Sequence, residues 1–493
     1  MKINNERTGN AHEDILKSIK RRDFLTRMAT VAVVAPFAGC GIESQRDSNT
    51  KVGGTSLDQY GGWTGKQFNA AGFFRAEHDG NRWWLITPEG NAFISFGINH
   101  HHPNWWAQEY NREYWIKAYG AKEALDETWQ QGFREAAISN CQRLGFNSLG
   151  FHSEAPILID LPNKPILPYL RHYEPVMFSF WRQPKPEKYT DIFAPEFEEH
   201  CDRLAKTEIE PYKDDPMIIG YTMADIPIMS DNETKWSGLT SWPRVLRNLG
   251  PGSPGKQAYV SFLQERYQGL EEFNSAYKTD FNTWDHLSDS VNWRPETDFG
   301  NQVELKDNME FLRRCVDQYY KVAEAAIRRY DTNHMFVGDK LNGNNGSLEN
   351  LVDITSKYTD LVLVQCYGRW EYQKPRMDLW VSKTDKPFIN GDSSYGTPYD
   401  MMPNPLGNPS VQAKDHAECA EWTVEFAESA ISRPEFVGWH ICGIIDTWKT
   451  MPGKDKWQHC GLMTPTGEFY LEMESAIQDL SQRLYQIAMG NEK

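Results

Sequence analysis

The stretch IIGYTMAD, Ile218–Asp225, is an apolar run that ends on a carboxylate. KPFINGDSSYG, Lys386–Gly396, repeats the pattern later in the chain, with Asp392 in the equivalent place. Neither run alternates polar and apolar residues, so each reads as a strand covered on both faces, as in a parallel sheet flanked by helices. Working outward, the same reading marks strands at Ala92–Ile98, Phe146–Phe151, Val176–Phe180, Ile218–Met223, Met335–Gly338, Leu361–Gln365, Pro387–Asn390 and Phe436–Ile441. Amphipathic segments lie between them, such as TWQQGFREAAISNCQRLG (Thr128–Gly145) and ELKDNMEFLRRCVDQYYKVAEAAIRRYD (Glu304–Asp331). Buried strands alternating with helices in this number predict an α/β protein, a (β/α)8 TIM barrel. A doubly wound sheet is the alternative, but no Gly-rich phosphate loop follows any of the strands.

Around this core the chain divides in three. KRRDFLTRM (Lys20–Met28), followed by ATVAVVAPFAGC (Ala29–Cys40), reads as a twin-arginine export signal over residues 1–40. Its apolar run of about a dozen residues is too short to span a bilayer. FAGC resembles a lipobox with Cys40 as the lipidated residue, which predicts a periplasmic or envelope-anchored protein whose membrane contact is that anchor. Residues 41–72 read as a polar tether, and residues 73–493 as the barrel domain. That domain opens with a hairpin, RAEHDGNRWWLIT (Arg75–Thr87), around an Asp-Gly turn. Residues 230–302 are too long for a simple loop and read as a helical insertion after the fourth strand.

Hydrophobic residues make up 40% of the 493 and charged residues 24%, enough for a large core. A formal net charge of -16 argues against nucleic acid and anionic membranes as partners. The eight cysteines form no CxxC pair and suggest no zinc site, so buried thiols are expected.

In such barrels the chemistry sits at the C-terminal ends of the strands. The strand ends supply Asn99 and His101, His152, Asp225, Asp339, Gln365 and Tyr367, Asp392, and Trp439 with His440. Asp225 and Asp392 end strands on opposite sides of the barrel and are the candidate catalytic pair, because glycosidic cleavage uses two facing carboxyl groups. The bland reading of each, a cap on the next helix, competes with this. Asn99, His101, His152, Asp339, Gln365, Tyr367, Trp439 and His440 are the candidate sugar-binding residues, with Asp339 also a reserve carboxylate and an ion-pair partner for Lys340. The triplet His100-His101-His102 does not read as a metal centre, since consecutive residues point in different directions. No metal or cofactor is expected.

DGNRWWLITPEGNAFISFGIN (Asp79–Asn99), IIGYTMAD, FVGWHICGIIDTW (Phe436–Trp448) and HCGLMTPTGEFY (His459–Tyr470) together resemble glycoside hydrolase family 50, the agarase-like proteins. The resemblance runs from about Phe73 to about Glu474. It implies a clan A barrel that cleaves β-linked galactose units of red-algal galactans. It also implies an Asn-Glu pair after the fourth strand and a Glu nucleophile after the seventh. Here Asp225 falls at the Asn position, Ile226 at the acid/base Glu position, and Asp392 at the nucleophile. Shorter carboxylates at both places would widen the gap toward the inverting range, with Asp225 as general acid and Asp392 as base. The expected function is an exported glycoside hydrolase acting on an agarose-like galactan. The alternatives are a sugar-binding barrel that has lost hydrolysis and a polysaccharide lyase.

Overall fold

The computed structural model describes residues 50–52, 54–153, 167–176, 189–228, 230–237, 240–344, 348–397, 411–448 and 458–490. The export signal, Cys40 and the first part of the expected tether lie outside them. Eight parallel strands close into a barrel. In chain order they are Ser95–Asn99, Ser148–Leu149, Tyr169–His172, Ile218–Asp225, Met335–Asn342, Val362–Gln365, Phe388–Asp392 and Phe436–Cys442. The eighth pairs with the first in register, Gly438 with Ser95 through to Cys442 with Asn99, which seals the ring. The fourth, seventh and eighth strands are buried along their whole length, as their unbroken apolar text requires.

The third strand corrects the sequence reading. It is Tyr169–His172, upstream of the expected Val176–Phe180. Val176 lies in a bend, and residues 177–180 lie outside the described residues. Arg171 is tolerated in this strand because its guanidinium lies over the Tyr212 ring, 3.4 Å from the centroid.

The tether also needs correction, because residues 50–67 are already folded. Thr50–Val52, Thr55–Leu57 and Trp63–Gln67 join Asn91–Phe93, Trp83–Ile86 and Arg75–His78 in a six-stranded antiparallel sheet. The scattered apolar residues of this glycine-rich stretch anchor it. Leu57 and Tyr60 are buried, and Trp63 packs on Tyr485 of the C-terminal helix with ring centroids 5.8 Å apart. The expected hairpin forms, with His78 opposite Trp83 and Arg75 opposite Ile86.

Helices cover the barrel. The longest, Gln302–Tyr330, buries Phe311, Leu312, Cys315, Val316, Tyr319, Tyr320, Ala323, Ala326 and Ile327, the stripe that helical periodicity dictates. Five shorter helices from Asp231–Ser237 to Trp284–Asp289 occupy the segment after the fourth strand. Buried ion pairs tie them to the long helix. Asp231 accepts from Arg244 Nε (2.7 Å), Ser241 Oγ (2.6 Å) and Asn308 Nδ2 (2.7 Å), and Glu304 takes Arg244, Arg247 and Arg294. All seven described cysteines are buried. No described helix is long and apolar enough to cross a membrane.

Candidate active site

Asp225 and Asp392 end the fourth and seventh strands and are both buried. A side chain of the fifth strand joins them. Lys340 Nζ lies 2.6 Å from Asp392 Oδ2 and 3.2 Å from Asp225 Oδ1. Those two oxygens are therefore separated by no more than the sum of the two distances. That bound lies below the about 6.5–9.5 Å of inverting glycosidases. Shortening both side chains has not opened the gap the sequence suggested, because the ammonium draws the two carboxyl groups together. Its other face rests on the Phe151 ring, 4.8 Å from the centroid.

Each carboxyl group also faces an imidazole. His152 Nε2 is 3.5 Å from Asp225 Oδ2, and His100 Nε2 is 3.9 Å from Asp392 Oδ2. The two imidazole rings are 4.9 Å apart, and Trp105 stacks on His100 at 4.9 Å with an interplanar angle of 8°. Asn99 Nδ2 donates to Asp392 Oδ1 at 3.1 Å and also to the Gly391 carbonyl. The chain turns sharply just past three strand ends: His100 (φ 52), His152 (φ 62) and Ile226 (φ 44) are all left-handed. For a β-branched residue this is strained, and strain persists only where neighbours enforce it. At Ile226 they do: its N–H donates to the Lys340 carbonyl (3.0 Å), and Tyr189 Oη donates to the Pro227 carbonyl (2.6 Å).

The environments push the two carboxyl groups apart. Burial raises the Asp225 carboxyl above its ordinary value, with Lys340 opposing and Asp392 reinforcing the rise. Burial acts on Asp392 in the same direction, but Lys340 and His100 outweigh it and hold the group far below the usual carboxylate range. Of the two, Asp225 thus holds a proton more tightly and Asp392 loses one more readily. Asp225 Oδ1 has the Lys340 ammonium at 3.2 Å and no further hydrogen bond among the described residues.

The other expected residues separate by the face of the strand they occupy. Asn99 and His152 are in the site. Gln365 is in register with Asp392 and Tyr367 lies next to it; burial and the Asp392 charge push the Tyr367 phenol well above its ordinary value. His101 is not in the site. It stacks on Trp106 outside the barrel (5.1 Å, 19°), where burial lowers its pKa to about 3. Trp439 is also outside, stacked on Phe96 at 5.9 Å. His440 points inward but fills the barrel below the mouth, hydrogen-bonded through Nε2 to Ser95 Oγ (2.8 Å), and burial lowers it to about 3. Gly97 is required beside it, since a Cβ there would lie 2.6 Å from the imidazole. Asp339 faces the long helix and forms no rim pair with Lys340, because neighbours on a strand point to opposite faces.

The strand ends in the sequence include Lys340, read only as an ion-pair partner for Asp339, and His100, read only as part of a histidine triplet; both instead face the two carboxyl groups. Lys340 shares the inward face with Asp225, and His100 is the first residue past its strand. Among the described residues, the donor atoms of His100, Asp392 and Cys442 lie within 4.8 Å of one another. The Lys340 ammonium already bound to Asp392 makes that spot unfavourable for a cation.

Two buried carboxyl groups of opposite proton affinity, held at the C-terminal lip of a (β/α)8 barrel, define a site of the glycoside-hydrolase kind. In sequence and fold the chain is agarase-like. It is 22% identical over 514 residues to beta-agarase B of Vibrio sp. (strain JT0107), covering 89% of this chain and 51% of that protein. The chain thus spans about half the length of this relative. A solved exo-beta-agarase superposes with a TM-score of 0.70 at 20% identity, over 88% of this chain and 68% of that one. The solved protein BpGH50 superposes with a TM-score of 0.64 at 17% identity, over 91% of this chain and 90% of that one. No family model matches the chain.

Proposed function

We propose that this chain hydrolyses β-linked galactose units of an agarose-like galactan by a retaining, two-carboxylate mechanism. The observation that carries the reading is the meeting of Asp225 and Asp392 on Lys340, with their proton affinities driven in opposite directions. The agarase names of the relatives supply the substrate class. Asp392 attacks the anomeric carbon while Asp225 protonates the departing glycosidic oxygen. Water then attacks the glycosyl ester, Asp225 takes its proton, and Asp392 leaves. His100 and Asn99 orient Asp392, and His152 faces the acid. The export and lipid-anchor readings rest on Arg21-Arg22 and FAGC in the sequence and belong to the same proposal.

The test is release of reducing ends from agarose and its oligosaccharides, with the first-formed anomer read by NMR. The expected product keeps the configuration of the substrate. An inverted product would overturn the retaining assignment. Binding without release would make this a sugar-binding barrel, and an unsaturated, ultraviolet-absorbing product would make it a lyase.

The pH profile follows from the same asymmetry. Asp225 must carry a proton to act, so kcat/KM is expected to fall as pH rises through its raised value. Asp392 is ionised far below neutrality, so no acid limb from it is expected in the range where the protein is folded. A profile that instead rises with pH across the ordinary carboxylate range would reverse the two roles.

A further inference from the structure

The fourth and fifth strands do not pair evenly. Tyr221 is opposite Phe336, Thr222 opposite Gly338 and Asp225 opposite Lys340, so one step on the fourth strand first matches two on the fifth, and three then match two. This is a β-bulge, a device that re-aims a side chain. The two shifts offset each other over Tyr221–Asp225 and Phe336–Lys340, so Asp225 comes level with Lys340 and the two side chains meet in the barrel.

A bulge leaves a backbone group out of the ladder, and a buried N–H needs a partner. Here the Ala224 N–H donates to Asp339 Oδ1 at 2.9 Å. The same oxygen accepts from Tyr319 Oη at 3.0 Å, and the Asp339 N–H donates to Tyr320 Oη at 3.1 Å. Asp339 is thus fixed by two tyrosines of the helix Gln302–Tyr330, and it holds the strand at the residue before the acid. Its other oxygen, Oδ2, is buried with no hydrogen bond among the described residues.

We propose that Asp339 is a positioning residue: its carboxyl oxygen replaces the ladder partner lost at the bulge and thereby keeps Asp225 pointed into the site. The inference rests on the assignment of Asp225 as the acid. Burial pushes the Asp339 carboxyl up to about 7, against the pull of Tyr320, the Ala224 N–H and Tyr319. Neutral Asn is therefore a close stand-in that keeps the acceptor oxygen.

The test compares Asp339→Asn with Asp339→Leu. The Asn variant is expected to keep kcat within a few-fold. The Leu variant is expected to lose kcat by about 10²–10⁴-fold, the loss that follows removal of a general acid, with KM little changed. Its alkaline limb should flatten, because the titrating acid has left the site. Asp331→Asn controls for lost stability alone. That buried carboxylate binds Tyr221 Oη (2.5 Å) and His334 Nδ1 (2.6 Å) away from the lip, and its loss should lower Tm while leaving kcat unchanged. A crystal structure of Asp339→Leu decides the point without activity: Asp225 should be withdrawn from Lys340. If Asp225 keeps its contact there, or the Leu and Asn variants have equal kcat, the inference is overturned. If the wild type hydrolyses nothing, the proposed function fails, and the structure of the variant still decides the positioning role.

Discussion

Asp392→Asn is expected to abolish hydrolysis while leaving sugar binding intact. The amide fills the same space and still accepts from Asn99, but it cannot attack an anomeric carbon. Loss of an attacking nucleophile costs on the order of 10⁶ in kcat where it has been measured in a protease, and a loss of at least about 10³-fold is the conservative expectation here. The retaining mechanism adds a sharper test. In Asp392→Gly, azide has room to attack the anomeric carbon from the vacated side, while Asp225 still protonates the leaving oxygen. The product should be a glycosyl azide of inverted configuration. Full activity in Asp392→Asn, measured by reducing-end release, would remove this residue from the reaction.

The second large effect concerns stability. Lys340→Met is expected to cost about 3–5 kcal/mol at neutral pH, the usual consequence of removing one partner from a buried ionic cluster. The pH dependence has a definite sign. In the wild type, Asp392 is held below its unfolded value, so it contributes stability above the unfolded carboxylate pKa, and that contribution is lost as pH falls toward the depressed folded value. Without Lys340 the largest remaining influence is burial, which raises the pKa and makes the ionised carboxylate a liability. The variant should therefore fall furthest behind the wild type near pH 7 and recover part of the difference near pH 4. Urea unfolding at the two pH values measures this. An equal deficit at both would show that the ammonium contributes packing rather than charge.

The candidate pair was legible because an apolar strand that ends on a carboxylate leaves a local mark. The third strand was not. Tyr169–His172 carries Arg171, which reads as surface until Tyr212, far along the chain, lies beneath its guanidinium. The more apolar run downstream attracted the reading instead. His152 was placed correctly, but at the first strand the reading was off by one residue: the left-handed turn at His100 sends that side chain to Asp392 and buries His101 against Trp106. Trp439 failed for a related reason, since alternation along the eighth strand puts it behind the sheet against Phe96. The meeting of Lys340 with Asp225 depends on how the fourth and fifth strands pair, through two offsetting register shifts, and neither strand contains that alone.

The cation between the two carboxyl groups has one more effect. In the proposed mechanism, with Asp225 protonated as the acid, Asp392 ionised and Lys340 charged, the formal charges of the three cancel, inside a chain of net charge -16. The surroundings repel anions at long range, but the centre itself is electrically silent. An uncharged galactan of the proposed kind would arrive without guidance, and discrimination among sugars would be left to contact at the barrel mouth.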